Sequence, residues 1–151
     1  MQKEKNYMTA KGKLIDTNIL VYAYDTADKE KHFVCKTILK EAWSKGGGVV
    51  TLQNLMEFFV VVTRKVEKPL SAAVAKTIVE DILKSEKWTV IDRDANTFLR
   101  AMELAAKRPA PFWDVLIATC MLENDIKEIL TENIKDFADI PGIKASNPVQ
   151  K

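Results

Sequence analysis

The sequence predicts a three-layer α/β/α fold, in which a central, mainly parallel sheet of four to five short strands carries helices on both faces. Short apolar runs such as "KLID" and "WTVID" alternate with longer amphipathic segments. This alternation is typical of βα units, whose strands pair in parallel. The chain has 151 residues, of which 47% are hydrophobic and 29% charged. That size and composition suit a single globular domain with one sizeable core.

The strands are short apolar runs that follow turn or helix-end signals. We predict them at 13–16 ("KLID"), 49–52 ("VVTL"), 88–92 ("WTVID") and 128–130 ("EIL"), with a fifth candidate at 143–146 ("IKAS").

The helices are longer segments with apolar residues at helical spacing. We predict them from Thr17 onward and at 28–45, 53–66, 71–86, 94–107 and 112–125. Asp16, Thr17 or Asn18 can cap the first helix and Ser71 the fourth. The "GGG" at 46–48 ends the second.

We expect the domain to span residues 13–149, with residues 1–12 forming a flexible extension. The polar start "MQKEKNYMTAKG" lacks the apolar region of a signal peptide, and the longest uncharged stretch is too short to span a membrane. These features favour a cytoplasmic protein without a membrane partner. The net charge of +2 excludes a generally basic surface but not a local basic patch.

The cysteine and histidine content excludes two classes of site. Cys35 and Cys120 lie far apart in apolar or amphipathic segments, where we expect them to pack in the core. The chain has no CxxC motif and only one histidine, His32, so a zinc site of the usual Cys/His kind is excluded. His32 also has no serine nearby that would form a nucleophilic pair.

Three acidic residues, Asp16, Glu57 and Asp114, each stand alone in an apolar stretch. An ionised carboxylate that is buried without a partner costs several kcal/mol. Each acid also has a local explanation. Asp16 can cap its helix, Glu57 can pair with Arg64 or Lys65, and Asp114 can cap the helix that it begins.

All three acids are placed to meet at one edge of the sheet. Asp16 ends the first strand, and "LTENIKDF" follows the fourth with Thr131, Asn133 and Asp136. Ligands in open α/β sheets bind at the carboxyl ends of the strands. If the first and fourth strands are neighbours, these groups converge, and Glu57 and Asp114 reach the same place from early helical turns. Asp136 can also be an ordinary surface acid.

Carboxylates that are brought together repel one another unless a cation neutralises them. Because histidine and thiolate ligands are excluded, Mg²⁺ or Mn²⁺ is the natural counter-charge, since both prefer oxygen ligands. Such sites support phosphodiester cleavage, often with two ions roughly 3.5–4 Å apart.

The ordered segments "LIDTNILVYAYD", "LMEFFVVVTRK", "FWDVLIATCMLEND", "ILTENIKDF" and "IPGIKASNPV" resemble the PIN-domain nucleases, in particular the VapC toxins of VapBC toxin–antitoxin pairs. The resemblance covers residues 13–149. It implies a metal-dependent endoribonuclease whose acidic positions correspond here to Asp16, Glu57 and Asp114, with a fourth near 131–137. Many members have an aspartate where this chain has Asn133, so the resemblance implies either one bound ion or two. Asp136 is the candidate to replace that aspartate.

The resemblance also implies roles for other residues and for partners. Asn18, Thr131 and Asn133 would hold a carboxylate or a bound water by hydrogen bonds. Single-stranded or looped RNA is the implied substrate. A homodimer and a cognate antitoxin are the implied protein partners. The candidates for contact with the RNA backbone are Arg64, Lys65, Lys107 and Arg108.

Four other functions compete with this interpretation. A phosphatase of the haloacid dehalogenase kind needs a second aspartate where Asn18 stands, and a response-regulator receiver needs an acid pair where "KLID" has one acid. A PIN module that binds RNA or a partner without cutting would be expected to lack the acids. A PIN nuclease for RNA processing, with no antitoxin, would have the same site.

Overall fold

The computed structural model describes residues 7–8 and 12–150. Its sheet has five strands in the order β3-β2-β1-β4-β5, and every neighbouring pair is parallel. The predicted sheet is therefore confirmed, including the fifth strand. The strands are β1 Lys13–Ile15, β2 Gly48–Thr51, β3 Trp88–Ile91, β4 Glu128–Leu130 and β5 Lys144–Ser146.

All the predicted helices are present, with ends that differ from the prediction by a few residues at most. One short helix, α7, was not predicted. The helices are α1 Thr17–Tyr22, α2 Lys29–Lys45, α3 Leu52–Arg64, α4 Ala72–Lys84, α5 Ala95–Ala106, α6 Phe112–Glu123 and α7 Ile134–Phe137. Asp16 caps α1 and Ser71 caps α4, while Gly46 ends α2 with a φ of 81° that favours glycine.

Successive strand residues point to opposite faces of the sheet, and this divides the core into two clusters. Ile15, Val50 and Leu130 pack against α1 to α4 on one face. Their neighbours Leu14, Val49 and Ile129 pack against α5, α6 and α7 on the other. The three-layer arrangement is thus confirmed, and Cys35 and Cys120 lie buried in opposite layers, as core packing predicts.

The centre of the sheet brings the ends of β1 and β4 together. Ile15 pairs with Leu130, and the backbone N–H of Asp16 donates to the Leu130 carbonyl at 3.0 Å. The residues that follow these two strands are therefore neighbours in space, as the site prediction requires.

Several apolar residues at helical spacing lie at the surface rather than in the core. Phe33 of α2 is 71% exposed, and Val74 and Leu83 of α4 are each 49% exposed. Helical periodicity identifies the apolar face of a helix, but the width of the buried stripe depends on what packs against it.

The predicted flexible extension falls mostly outside the described residues, which exclude 1–6 and 9–11. The backbone N–H groups of Tyr7 and Met8 donate to the Glu41 carboxylate at 3.0–3.1 Å. Within the described ranges, no helix combines the length and apolar character needed to cross a membrane.

Candidate active site

Asp16 lies at the centre of the candidate site and is 6% exposed. Its Oδ1 accepts from the Thr17 backbone N–H at 2.8 Å, which caps α1. Its Oδ2 accepts from the Thr131 hydroxyl at 2.7 Å. Burial raises the pKa of Asp16 above its usual value, the nearby Glu57 charge adds to the rise, and these hydrogen bonds oppose it. Asp16 is thus both a helix cap and a member of the site.

The loop after β4 orients Asp16 from the other side. Thr131 is fully buried, and besides its bond to Asp16 it accepts from the Asn133 backbone N–H at 3.0 Å. Asn18 accepts from the Glu132 backbone N–H at 3.1 Å, and its amide lies 3.5 Å from Asp16 Oδ2. Asn133 precedes α7 with an exposed side chain that makes no capping hydrogen bond.

Glu57 is exposed, contrary to the burial that the apolar run around it suggested. Its neighbours Met56 and Val60 are also exposed, at 53% and 43%, so this face of α3 is not part of the core. Glu57 accepts from the Thr17 hydroxyl at 3.0 Å and from Gln53 Nε2 at 2.9 Å. Glu57 is therefore not a buried charge that needs a partner, but its hydrogen bond with Thr17 places it beside Asp16.

Asn54 connects these groups, although its place in the sequence predicted no role for it in the site. It is fully buried and forms a capping box with Thr51 at the start of α3. Its Nδ2 donates to Thr17 Oγ1 at 3.0 Å and to Asp16 Oδ1 at 3.3 Å. The available signal was "TLQN", a capping-box pattern that begins a helix directly after a strand.

Asp114 and Asp136 complete the acidic cluster. Asp114 lies in the first turn of α6, whose N-cap is Pro111 without a side-chain hydrogen bond, so Asp114 does not cap the helix. Its pKa is raised to about 7 by partial burial, by a hydrogen bond with Asp136, and by the charges of Asp16, Asp136 and Glu57. The fold therefore places all four predicted acids close enough to affect one another.

The donor chemistry of this cluster fits a hard divalent cation, because the groups that face one another are carboxylate, amide and hydroxyl oxygens. Among residues 7–8 and 12–150, no three Asp, Glu, His or Cys side chains form a ready-made set of metal ligands. This arrangement is compatible with Mg²⁺, which is commonly held by one or two carboxylates and several waters.

The four predicted cationic residues lie outside this cluster of hydrogen bonds. Arg64 ends α3, about 10 Å along the helix axis from Glu57, and Lys65 caps its C-terminus. Lys107 and Arg108 line a groove beside α5 and α6. Arg108 donates to the carbonyls of Asp139 at 2.9 Å and Leu104 at 3.3 Å, so part of its guanidinium is engaged within the protein.

A further polar group holds the loop after β4 against the first two helices. Glu132 accepts from the Tyr22 hydroxyl and from Lys31 Nζ, each at 2.9 Å. Lys31 also lies 5.0 Å from the centre of the Tyr22 ring. These contacts link distant parts of the sequence, and no local pattern predicted them.

The comparisons with known proteins agree with the fold. The family model described as PIN domain matches residues 13–143. No curated protein matches the chain significantly. Solved structures share the fold at low sequence identity. A toxin–antitoxin complex from Klebsiella pneumoniae is 22% identical with a TM-score of 0.64, and covers 91% of this chain and 98% of its own.

Two other structures show the same likeness. Mycobacterium tuberculosis VapC20, described as a sarcin-ricin loop cleaving toxin, is 15% identical with a TM-score of 0.65, and covers 86% of this chain and 97% of its own. VapBC2 from Rickettsia felis, bound to a DNA fragment from its promoter, is 21% identical with a TM-score of 0.60, and covers 89% and 96%. Because the family model spans most of the chain and the fold agrees with it, the protein belongs to the PIN domain family.

Proposed function

We propose that this PIN domain is a metal-dependent endoribonuclease that hydrolyses RNA phosphodiester bonds. The observation that carries the proposal is the meeting of Asp16, Glu57, Asp114 and Asp136 at the carboxyl edge of the sheet, where their proximity and partial burial raise the pKa of Asp114 to about 7. Carboxylates that are held close enough to raise the pKa of one of them are typical of functional sites.

In this proposal Asp16, Asp114 and Glu57 hold one or two Mg²⁺ or Mn²⁺ ions. A bound ion supplies an activated water and stabilises the charge that develops on the phosphate. Asp16 is fixed for this role by Thr131, Thr17 and Asn54, so its carboxylate does not reorient when a ligand arrives.

Asp136 and the polar residues near it support the three acids that hold the metal. Asp136, through its hydrogen bond with Asp114, takes the place of the aspartate that Asn133 replaces. Asn18 and Thr131 hold Asp16 by hydrogen bonds. The exposed Asn133 side chain does not cap α7, so its amide is available to bind a water. No histidine or protein nucleophile takes part.

The substrate is single-stranded or looped RNA, whose backbone can be drawn into a shallow acidic site. The backbone contacts that we propose are Arg64, Lys65 and Lys107, with Arg108 contributing its remaining guanidinium N–H groups. Such an activity on cellular RNA belongs in the cytoplasm.

We also propose that the protein is the toxin of a toxin–antitoxin pair and that it forms a homodimer. The supporting likeness is to solved structures of toxin–antitoxin complexes and of a ribonuclease toxin. The surface also has apolar side chains suited to protein partners, such as Phe33, Met56 and Leu99, each more than half exposed. A co-purifying small protein, or a neighbouring antitoxin gene, would separate this role from RNA processing without an antitoxin.

The test is cleavage of a mixed RNA pool by the purified protein with Mg²⁺, with Mn²⁺ and with EDTA. We expect metal-dependent cutting that is lost in Asp16→Ala and retained in Glu67→Gln, a control that removes an exposed acid outside the site. If antitoxin-free protein cuts nothing and calorimetry detects no metal binding, the proposal is wrong and a binding module without catalysis replaces it.

A further inference from the structure

A pocket of about 460 Å³ lies between the N-terminal ends of α5 and α6, and the nuclease site as described above makes no use of it. Its walls include Arg93, Phe98, Phe112 and Trp113. The volume lies within the range of about 300–1,000 Å³ that is usual for pockets binding small organic groups. The aromatic rings, one cation (Arg93) and one carboxylate (Asp94, which caps α5) restrict the chemistry of the occupant.

The aromatic rings of this pocket are held in a fixed arrangement and yet are open to solvent. Phe98 and Phe112 pack edge to face with ring centres 5.9 Å apart, and Phe112 and Trp113 do the same at 5.5 Å. Trp113 is 60% exposed and Phe98 49%. A rigid, exposed indole is suited to stacking on a flat ligand, because its orientation is set before binding.

Two connections link the walls of the pocket to the acidic cluster. Trp113 directly precedes Asp114 in the first turn of α6, so their Cα atoms are about 3.8 Å apart. On the opposite wall, Arg93 Nη1 donates to Gln53 Oε1 at 3.1 Å, and Gln53 Nε2 donates to Glu57 Oε1 at 2.9 Å. The pocket therefore borders the acidic cluster, with Gln53 linking Arg93 of its wall to Glu57.

We propose that this pocket binds one unpaired base of the RNA substrate, stacked on Trp113, while Arg93 contacts the adjoining phosphate. The proposal rests on the ribonuclease function proposed above. Every base has a π face, so an aromatic platform binds single strands with tolerance for sequence. Arg93 is exposed and supplies positive charge beside carboxylates that would otherwise repel the RNA backbone.

The first experiment compares an RNA oligonucleotide that the wild type cuts with a series carrying one abasic nucleotide at successive positions. In Trp113→Ala we expect kcat/KM on the intact RNA to fall by about 5- to 140-fold. An abasic nucleotide at one position should lower kcat/KM of the wild type by a similar factor. On that RNA, Trp113→Ala should cause no further loss. Trp113→Phe should recover most of the activity, because a ring remains.

Leu83→Ala is the matched control, since it removes an exposed apolar side chain from α4, outside the pocket. Thermal unfolding checks that each variant is folded. If Trp113→Ala cuts intact RNA as well as the wild type does, the pocket binds no base and the inference is wrong, while the nuclease function stands. If the variant loses an oligomeric state and its activity falls equally on intact and abasic RNA, the pocket is a protein interface and the inference is again wrong.

A second measurement does not depend on cleavage. Labelled RNA is titrated in EDTA into Asp16→Asn with and without Trp113→Ala, and tryptophan fluorescence is followed. We expect quenching of the exposed Trp113 and weaker binding without it; Trp88, which is 5% exposed, should change little. Should the wild type cut nothing and bind no metal, the proposed function fails, and this titration still decides whether the pocket binds a base. Equal affinities would overturn it.

Discussion

Replacing Asp114 with asparagine should stabilise the metal-free protein at about pH 8 and have little effect at about pH 4. The pKa of Asp114 is about 7 in the folded protein against an ordinary value of 3.8, so the folded state holds a proton that the unfolded state has released between these values. The free energy of unfolding therefore falls as the pH rises from about 4 to about 7, because the folded state binds more protons than the unfolded state in that range.

The magnitude follows from the size of the pKa shift. A shift of about 3 units corresponds to about 4 kcal/mol at a pH above both values. Because the Asp114 side chain is only partly buried, solvent screening reduces this figure to about 1–2 kcal/mol. Asparagine removes the charge but keeps an N–H that can donate to Asp136, so the gain is not offset by a lost hydrogen bond.

The assay is urea unfolding in EDTA, followed by tryptophan fluorescence at both pH values, for the wild type, Asp114→Asn and the control Glu67→Gln. The quantity compared is the difference in unfolding free energy between each variant and the wild type. We expect this difference to grow with pH for Asp114→Asn and to stay near zero for the control. If Asp114→Asn is equally destabilising at both pH values, Asp114 does not carry an unfavourable charge and the electrostatic argument for the site is refuted.

Two other changes probe the loop after β4. Thr131→Val removes the 2.7 Å hydrogen bond to buried Asp16, which should cost about 1–3 kcal/mol in urea unfolding. The control is Thr119→Val, because the buried Thr119 hydroxyl donates to the Val115 carbonyl within α6. An equal loss of metal-dependent activity in both variants would contradict the role of Thr131. Asn133→Asp adds a carboxylate at an exposed position beside the site and should lower the Mg²⁺ concentration for half-maximal cleavage. An unchanged Mg²⁺ requirement, or the same change in the exposed control Asn96→Asp, would show that position 133 takes no part in binding the ion.

Local signals accounted for most of the architecture. Short apolar runs predicted all five strands, Ser71 was predicted as a cap, and Asp16 was one of three candidate caps for α1. The carboxyl-edge rule also predicted which acids would meet. The strands, helices and caps share one cause, because periodicity and capping depend on residues a few positions apart, whereas the meeting of the acids also required β1 and β4 to be neighbours.

The tertiary structure decided what depends on residues far apart in the chain. Glu57 is exposed because no helix or strand of the described residues covers that face of α3, whereas the apolar residues around Glu57 in the sequence suggested the core. Asn54 is buried because α1 lies against the start of α3 and places Thr17 over its amide. The approach of Asp136 to Asp114 depends on α7, a helix too short to leave a periodic signal.

The sequence by itself therefore determined the α/β class, the element order and the acidic residues that form the candidate site. Only the tertiary structure decided the strand order, the hydrogen bonds that orient Asp16 and the aromatic pocket beside Asp114. The physical reason is that pairing between distant segments is chosen by the total burial and hydrogen bonding of the folded chain, which no short stretch of residues encodes.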